Sequence, residues 1–392
     1  MRRFSANYIY TNNGNPIRNG IVGVNDRGVI VEIIDHKGQE KEWAHTEFRN
    51  GIIVPGFVNA HCHTELSHLK GRIEPETGLA DFVSQIRNVR LAGEVMEGRP
   101  IVDAIADLHR HGTIAVADIC NTTDSFSAKS NSKIRFANLI EVLGIDPHKA
   151  DQIIEKLRVI QQLGNQQPSC GCFLTPHSVY SLSSKLWEIL SLAMDDNQIV
   201  SIHFAESREE ELFTQNRTGS IYQNYTRWGL PVGEAPKGNP VDIVKKYIPR
   251  KARILFVHNT FLEKQQAIEL STFYSNSTFV LCPSSNLYIE KTLPNVPMFM
   301  ELGLQIALGT DSLASSPTLS VLDQMQILLN NFPQIPFTSI LEWATINGAK
   351  ALGLDKEIGS IELGKSPGLN LITPFDFAAG KPKRNSRVLR LV

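Results

Sequence analysis

The chain has 392 residues, of which 42% are hydrophobic and 20% are charged, a composition typical of a folded protein. Its 39 Lys and Arg nearly balance its 40 Asp and Glu, so charge favours neither nucleic acid nor a membrane as a partner, and a small-molecule substrate is the default. It has no apolar run of membrane-spanning length, no secretory signal pattern at its start and five scattered cysteines, so we predict a cytoplasmic protein with reduced thiols.

The two ends of the chain have the character of short strands. Turn clusters rich in Asn and Gly separate alternating segments such as 20–24 and 29–34, and the stretch 359–372 has the same pattern. We therefore predict that residues 1–55 and 356–392 pair into one small β-sandwich domain.

Strand and helix patterns alternate between these ends. Eight apolar segments are predicted as strands: 51–60, 113–120, 134–143, 170–176, 199–204, 254–258, 278–282 and 304–309. Six amphipathic segments are predicted as helices: 101–110, 149–163, 183–194, 262–270, 319–329 and 339–351. Near-continuous apolar strands that alternate with helices indicate a parallel sheet covered by helices, and eight of them predict an α/β fold, a (β/α)₈ TIM barrel, over residues 56–355. The alternative, a doubly wound open sheet, would favour an early Gly-rich phosphate-binding turn, which the sequence lacks.

Polar side chains follow these predicted strands where each one ends. His61 and His63 are two residues apart after a buried strand, so both can point to the same side. Alone, a His-x-His pair is often a pair of loop histidines. Further candidates stand at the ends of strands 4, 5, 6 and 8: His177, His203, Glu206, His258 and Asp311. Because the carboxyl ends of barrel strands meet at one face, this repetition favours a functional site.

These residues resemble the amidohydrolase superfamily, of the mononuclear cytosine deaminase and chlorohydrolase type. The resemblance runs from the segment 55–63 to the segment 359–365. It implies that Glu206 is a proton shuttle, that His258 positions the attacking water, and that four residues bind metal: His61, His63, His203 and Asp311. Binuclear members carry a carboxylated lysine at the end of strand 4. The stretch 170–180 has no lysine, so one metal ion is expected.

The chemistry of these residue types agrees with that set. Three imidazoles and one carboxylate leave a coordination position open, as in catalytic zinc sites, so Zn²⁺ is expected, with Fe²⁺ as the alternative. Water bound to such a metal has a pKa near 7, and Asp311 is a candidate to accept its proton. The alternatives are a helix cap for Asp311 and, for Glu206, membership of an acidic cluster with 209–211, which we expect to be a solvated first helical turn.

The substrate is indicated by two shorter patterns. The segment His-Cys-His-Thr-Glu-Leu-Ser at 61–67 and the segment 309–315 resemble deaminases of adenine-bearing nucleosides, in particular those acting on aminodeoxyfutalosine. This likeness implies that Glu65 bonds the base or ribose and that His177 contacts the substrate. The alternative for Glu65 is a local charge pair.

Together these features predict a mononuclear, metal-dependent aminohydrolase acting on C–N bonds other than peptide bonds. Two alternatives stay open: a chlorohydrolase or cyclic amide or amidine hydrolase with the same site, and a metal-binding protein without catalysis. A homodimer is expected by family analogy. The segment 207–242, rich in Gly, Pro and Asn, is interpreted as a loop that is either a substrate lid or an oligomer contact.

Overall fold

The computed structural model describes residues 1–37, 43–92, 98–196 and 198–392. Its strands, in chain order, are β1 (Arg2–Ile9), β2 (Ile17–Arg18), β3 (Ile21–Val24), β4 (Ile30–Ile34), β5 (Thr46–Pro55), β6 (Phe57–Cys62), β7 (Thr113–Cys120), β8 (Arg135–Val142), β9 (Cys172–Pro176), β10 (Ile199–Phe204), β11 (Arg253–His258), β12 (Ser277–Leu281), β13 (Ile306–Leu308), β14 (Leu369–Asp376) and β15 (Lys381–Arg390).

The α-helices of the described residues are α1 (Leu79–Leu91), α2 (Arg99–Arg110), α3 (Phe126–Ser130), α4 (Ala150–Asn165), α5 (Ser184–Ala193), α6 (Glu209–Glu211), α7 (Gly219–Arg227), α8 (Pro240–Tyr247), α9 (Lys264–Phe273), α10 (Pro283–Glu290), α11 (Val296–Glu301), α12 (Val321–Asn331), α13 (Phe337–Trp343) and α14 (Ile346–Ala351). Short 3₁₀ turns lie at Thr64–Leu69, Pro147–Lys149 and Val232–Glu234, and a π-helical turn at Leu212–Asn216. In the described part of the chain no helix combines the length and apolarity that a membrane crossing requires.

Strands β6 to β13 form a closed parallel barrel. Hydrogen bonds join β6 to β9 in sequence order and β10 to β13 in sequence order. Two single bridges close the ring at the carboxyl ends of the strands, one between Cys62 and Asp311 and one between Ser178 and His203. Strands β7 and β10 are buried along their whole length, as expected for strands covered on both faces. The barrel therefore closes at residues predicted to be functional.

The chain ends form a separate sheet of seven strands. Its order is β15-β14-β5-β1-β3-β4, with β2 paired to β1, and only the β1–β5 pair is parallel. Phe4, Ile53 and Leu371 belong to its core. Gly56 separates this sheet from the barrel, and a Cβ atom there would lie 2.5 Å from Ile114 and 2.7 Å from the Pro367 carbonyl oxygen. The close approach explains why the chain turns at a glycine.

The predicted α/β barrel with a small β domain from both ends is confirmed, and three local predictions need correction. The single strand predicted at 51–60 is two strands, β5 and β6, which belong to different sheets. The helix predicted at 339–351 is two helices, α13 and α14. The segment 207–242 is largely helical and not a loop, because its Gly and Asn residues begin short helices. Asn239, for example, caps α8 by accepting a hydrogen bond from the Val241 N–H.

Candidate active site

The candidate metal-binding side chains converge at the carboxyl end of the barrel. The Nε2 atom of His63 lies 3.1 Å from Nε2 of His61 and 3.3 Å from Nε2 of His203. The Oδ1 atom of Asp311 lies 3.5 Å from Nε2 of His63 and 3.8 Å from Nε2 of His61. All four residues are buried. The four residues predicted from the sequence as ligands are therefore brought together around one point.

The ends of the strands aim these side chains. Ala205, His258 and Asp311 adopt left-handed backbone conformations, with φ of 48°, 74° and 58°. Such values are uncommon for residues other than Gly and turn the chain sharply where each strand ends. Gly309 allows β13 to approach β6 closely, since a Cβ atom there would lie 2.9 Å from Cβ of His61. The sharp turns at the strand ends and the small Gly309 thus set the directions in which the cluster side chains point.

Neighbouring groups hold two of the candidate ligands in orientation. The backbone carbonyl of His177 lies 2.9 Å from Nδ1 of His203, a contact that holds this ring with its Nε2 toward the other imidazoles. The hydroxyls of Ser285 and Ser315 each donate to Oδ2 of Asp311 at 2.6 Å, which leaves Oδ1 free for another partner. Supporting contacts of this kind are typical of metal-ligand residues.

The arrangement fits a divalent metal ion. Zinc–nitrogen bonds of 2.0–2.1 Å in a tetrahedron separate ligand atoms by about 3.3 Å, close to the spacing of the three imidazoles. Burial and neighbouring histidines lower the pKa values of His61 and His203 well below the ordinary value, so both rings are neutral, as metal ligands require. A cluster of three buried imidazole nitrogens without a cation would leave acceptors facing one another. The four side chains therefore fit a divalent metal ion.

Glu206 and His258 lie beside this cluster. Oε1 of Glu206 is 3.5 Å from Nε2 of His258, and both side chains are buried. Burial, with Asp311 and Glu210 nearby, raises the pKa of Glu206 well above its ordinary value. Burial lowers the pKa of His258 to about 4. Next to the cluster the structure thus places a carboxyl with a raised pKa and an imidazole with a lowered pKa, a pair of groups suited to proton transfer.

The prediction of a solvated helical turn at 209–211 is wrong for Glu210. Glu210 is buried, and its carboxylate accepts hydrogen bonds from the backbone N–H groups of Ala205, Glu206 and Ser207 at 3.1, 2.6 and 3.3 Å. These contacts fix the turn from which the Glu206 side chain projects. Glu210 is therefore a structural support for Glu206.

The two predicted substrate contacts differ in position. His177 lines the cavity above the cluster, and its ring lies 4.7 Å from that of His203, centroid to centroid. Glu65 is not among the residues that line this cavity. Its carboxylate accepts from the backbone N–H groups of Asn121 and Thr122 and from the Ser125 hydroxyl, at 2.9 to 3.4 Å. Burial raises the pKa of Glu65 to about 7. The geometry gives Glu65 local partners in the loop after β7.

The cavity has a volume of about 360 Å³, within the usual range for small-molecule sites. Its inner end holds polar side chains, among them His63, His203, Glu206, His258 and Asp311. Its outer part is formed largely by α1 and by the segment around α7, with these residues: Leu79, Phe82, Val83, Ile86, Arg87, Arg90, Leu91, Tyr225, Trp228 and Leu230.

Three buried charged residues near the site were not predicted from the sequence. Glu141 lines the cavity, accepts from the Asn121 side chain at 3.0 Å, and lies 3.9 Å from Nδ1 of His203. Asp118 accepts from the N–H and hydroxyl of Thr64, next to His63, and pairs with Lys129 at 2.6 Å. The signal for the two carboxylates was a single acidic residue in each of the apolar strands β7 and β8.

The sequence is similar to a known protein family and to several characterised enzymes. Residues 52–387 match the model of the Amidohydrolase family. Adenosine deaminase of Helicobacter pylori is 27% identical over 355 residues, which cover 87% of this chain and 84% of that protein. Aminodeoxyfutalosine deaminase of Deinococcus radiodurans is 25% identical over 366 residues, which cover 90% and 86%.

Solved structures share the fold. Helicobacter pylori aminofutalosine deaminase in complex with methylthio-coformycin superposes with a TM-score of 0.80 at 23% identity, covering 96% of this chain and 93% of that one. Atrazine chlorohydrolase from Arthrobacter aurescens, complexed with zinc, superposes with a TM-score of 0.71 at 15% identity, covering 94% and 86%. The family match spans most of the sequence and agrees with the barrel and with the cluster at its carboxyl end. The chain is therefore a hydrolase acting on C–N bonds and belongs to the amidohydrolase family.

Proposed function

We propose that this protein is a mononuclear, metal-dependent deaminase of adenine-bearing nucleosides, with aminodeoxyfutalosine as its preferred substrate. The observation that carries the proposal is the placement of Glu206 and His258 beside the four-residue cluster at the inner end of one cavity. Residues 56–355 would supply this chemistry, and residues 1–55 with 356–392 would form the supporting domain.

The proposed metal ligands are His61, His63, His203 and Asp311. A divalent ion held there, Zn²⁺ in the first instance and Fe²⁺ as the alternative, supplies a hydroxide nucleophile at neutral pH by lowering the pKa of a bound water. Oδ1 of Asp311 faces this position while Oδ2 is held by two hydroxyls, so Asp311 can also accept a proton from the attacking water.

Glu206 would transfer protons, and His258 would orient the attacking water. Glu206, whose pKa is raised by burial, can give its proton to the purine ring nitrogen beside the amino-bearing carbon. The proton that Asp311 accepts from the attacking water can then pass to the amino group, which leaves as ammonia, and Glu206 recovers its own proton from the new hydroxyl as the carbonyl forms. The neutral ring of His258 can hold the attacking water in line with that carbon. His177 would contact the substrate from its position in the cavity wall. Glu141 would do so through its buried Oε1 atom, which accepts no hydrogen bond from the described residues.

The substrate is tested with a panel and an ammonia assay. We expect release of ammonia from adenosine, 5′-methylthioadenosine, S-adenosylhomocysteine and aminodeoxyfutalosine, and only background release from guanine and cytosine. Release of chloride from chloro-s-triazines, or turnover of a cyclic amide without adenosine turnover, would contradict the assignment. A protein that binds metal and turns over no compound would support the alternative without catalysis.

Removal of the metal gives a separate expected result. We expect about one bound metal ion per chain by elemental analysis, loss of activity after treatment with 1,10-phenanthroline, and recovery on addition of Zn²⁺ or Fe²⁺. We also expect His61→Ala/His203→Ala to lose the metal while its circular dichroism stays that of the parent. Two ions per chain, or unchanged metal content in the double variant, would count against the single four-residue site.

Two wider predictions from the sequence are also part of the proposal. A cytoplasmic location would suit five free cysteines. A homodimer stays a prediction from family analogy. Light scattering on the purified protein measures the mass directly, and a mass of one chain, 43.6 kDa, would refute the dimer.

A further inference from the structure

The outer wall of the cavity is apolar except for two cations. Leu79, Phe82, Val83, Ile86 and Leu230 form most of that wall. Arg87 and Arg90 also line it, and they lie three residues apart on α1, so they share one side of the helix. A basic pair in an otherwise apolar wall is a feature that packing alone does not require.

In the described part of the chain, neither guanidinium has an acidic partner. Among the residues that the structure describes, no carboxylate lies within ion-pair distance of Arg87 or Arg90, and neither group donates a hydrogen bond there. By contrast, acidic groups in the cavity lie at the inner end, where Glu141, Glu206 and Asp311 line it. The cavity is therefore acidic where the reaction would occur and basic at its outer part.

One arginine is already oriented by an aromatic ring. The Arg87 guanidinium lies 4.7 Å from the centroid of the Trp228 ring, a cation–π contact. Trp228 in turn lies against Tyr225, with ring centroids 5.7 Å apart. Such an arrangement offers aromatic surface next to a guanidinium that can donate several N–H hydrogen bonds.

The wall is built from two helices that are tied together. The Asn224 side chain of α7 donates to the Ala80 carbonyl and to the Ser84 hydroxyl of α1, both at 3.0 Å. This contact fixes the helix that precedes Trp228 against the helix that carries Arg87 and Arg90. The outer wall is thus a preorganised surface, which lowers the entropic cost of binding a ligand.

We propose that this outer wall is a carboxylate subsite, in which Arg87 and Arg90 bind an anionic group at the end of an aromatic or apolar 5′ substituent of the nucleoside. This rests on the proposed function, since the adenine ring must occupy the inner end. The Trp228 and Tyr225 rings then cover the apolar part of the substituent, and the two guanidinium groups bind the carboxylate through charge-assisted hydrogen bonds. Arg87 and Arg90 are specificity-determining residues that make no contact with the reacting atoms.

A matched pair of substrates tests the subsite. Aminodeoxyfutalosine carries a benzoate on its 5′ side, and its methyl ester is the same molecule without the charge. We expect the wild-type protein to prefer the acid over the ester, and Arg87→Met/Arg90→Met to lose about 10- to 100-fold in kcat/KM for the acid, mainly through KM, with the ester changed less than about threefold. Rising ionic strength should weaken the acid preference.

The controls separate charge from folding and from the function itself. Arg158→Met removes a positive charge from the exposed face of α4 and should leave kcat/KM for the acid and for the ester unchanged. Arg87→Lys/Arg90→Lys keeps the charges and should recover part of the preference. Equal losses for acid and ester, or no preference in the wild type, would overturn the subsite while deamination itself stands. Failure to deaminate any adenine nucleoside would overturn the proposed function and the subsite together.

Discussion

Glu206→Gln is expected to bind metal as the parent protein does and to lose turnover by about 10²- to 10⁴-fold, the usual contribution of a positioned acid–base group. Gln has nearly the same shape as Glu, but its amide cannot donate a proton to a ring nitrogen and take one back. The Glu206 side chain is buried beside His258 and raised in pKa, so no solvent group readily replaces it. The loss should therefore fall on kcat, with metal content and KM close to those of the parent.

Glu155→Gln is the matched control. Glu155 lies on the exposed side of α4, so the same chemical change there should leave kcat unaltered. Full activity of Glu206→Gln would remove Glu206 from the mechanism. Loss of metal in this variant would assign it to the cluster instead of to proton transfer.

The second large effect is expected at Lys129. Its side chain is 3% exposed and pairs with Asp118, which is fully buried, at 2.6 Å. Burial alone would lower the pKa of Lys129, but Asp118 and Cys120 together raise it above the ordinary value. In Lys129→Met the Asp118 carboxylate would be buried without a counter-charge, which typically costs about 3–5 kcal/mol in the free energy of unfolding. Urea titration followed by circular dichroism measures this loss.

A double variant shows whether the uncompensated charge causes the loss. Asp118→Asn/Lys129→Met has no net buried charge, and its Asn oxygen can still accept from Thr64, so it should be more stable than Lys129→Met alone. Lys156→Met on the exposed side of α4 should change stability by less than about 0.5 kcal/mol. Equal stability of Lys129→Met and the parent would mean that the pair does not stabilise the β7 end of the barrel.

The Asp118–Lys129 ion pair also supports the candidate metal site. Asp118 accepts from both the N–H and the hydroxyl of Thr64, at 2.8 and 2.6 Å, and Thr64 follows His63 directly. The pair therefore holds the chain where it leaves β6, and its loss should weaken metal binding as well as the fold. Metal content of Lys129→Met, measured at a temperature where the variant is folded, reports that effect.

The barrel and its strand ends were predictable because burial and polarity alternate strongly along this sequence. β7 and β10 have the predicted bounds, since each is a largely apolar run that is buried along its whole length. The convergence of His61, His203 and Asp311 followed from the rule that the ends of barrel strands meet at one face. These elements are separated by about a hundred residues or more, yet the topology of a closed barrel leaves little freedom in their placement.

The outer wall was not predictable in the same way. α1 was missed because it is only partly buried and mixes polar with apolar residues, as in the run from Asp81 to Arg90. The helices within 207–242 were hidden by Gly219 and Asn239, which begin helices and are also typical of loops. Local composition does not determine which helix packs against which. The contact between Arg87 and Trp228 could therefore be found only from the tertiary structure.

Glu65 illustrates a different limit. A family pattern placed a carboxylate two residues after His63, and the residue is present, but its oxygens bond the loop after β7. Glu141, without any pattern to point to it, lines the cavity instead. A motif gives the residue type and its spacing, whereas the partners of a buried carboxylate depend on the loops that pack around it.

The most direct test of the central claim is X-ray absorption at the metal K-edge of the purified protein, with the metal counted in the same sample. We expect one ion per chain, with a first shell of about three imidazole nitrogens and one or two oxygens at the distances of a zinc or ferrous site. The signal should be absent in His61→Ala/His203→Ala. A sulfur-containing shell, a metal–metal vector, or the same spectrum in the double variant would contradict a single ion held by His61, His63, His203 and Asp311.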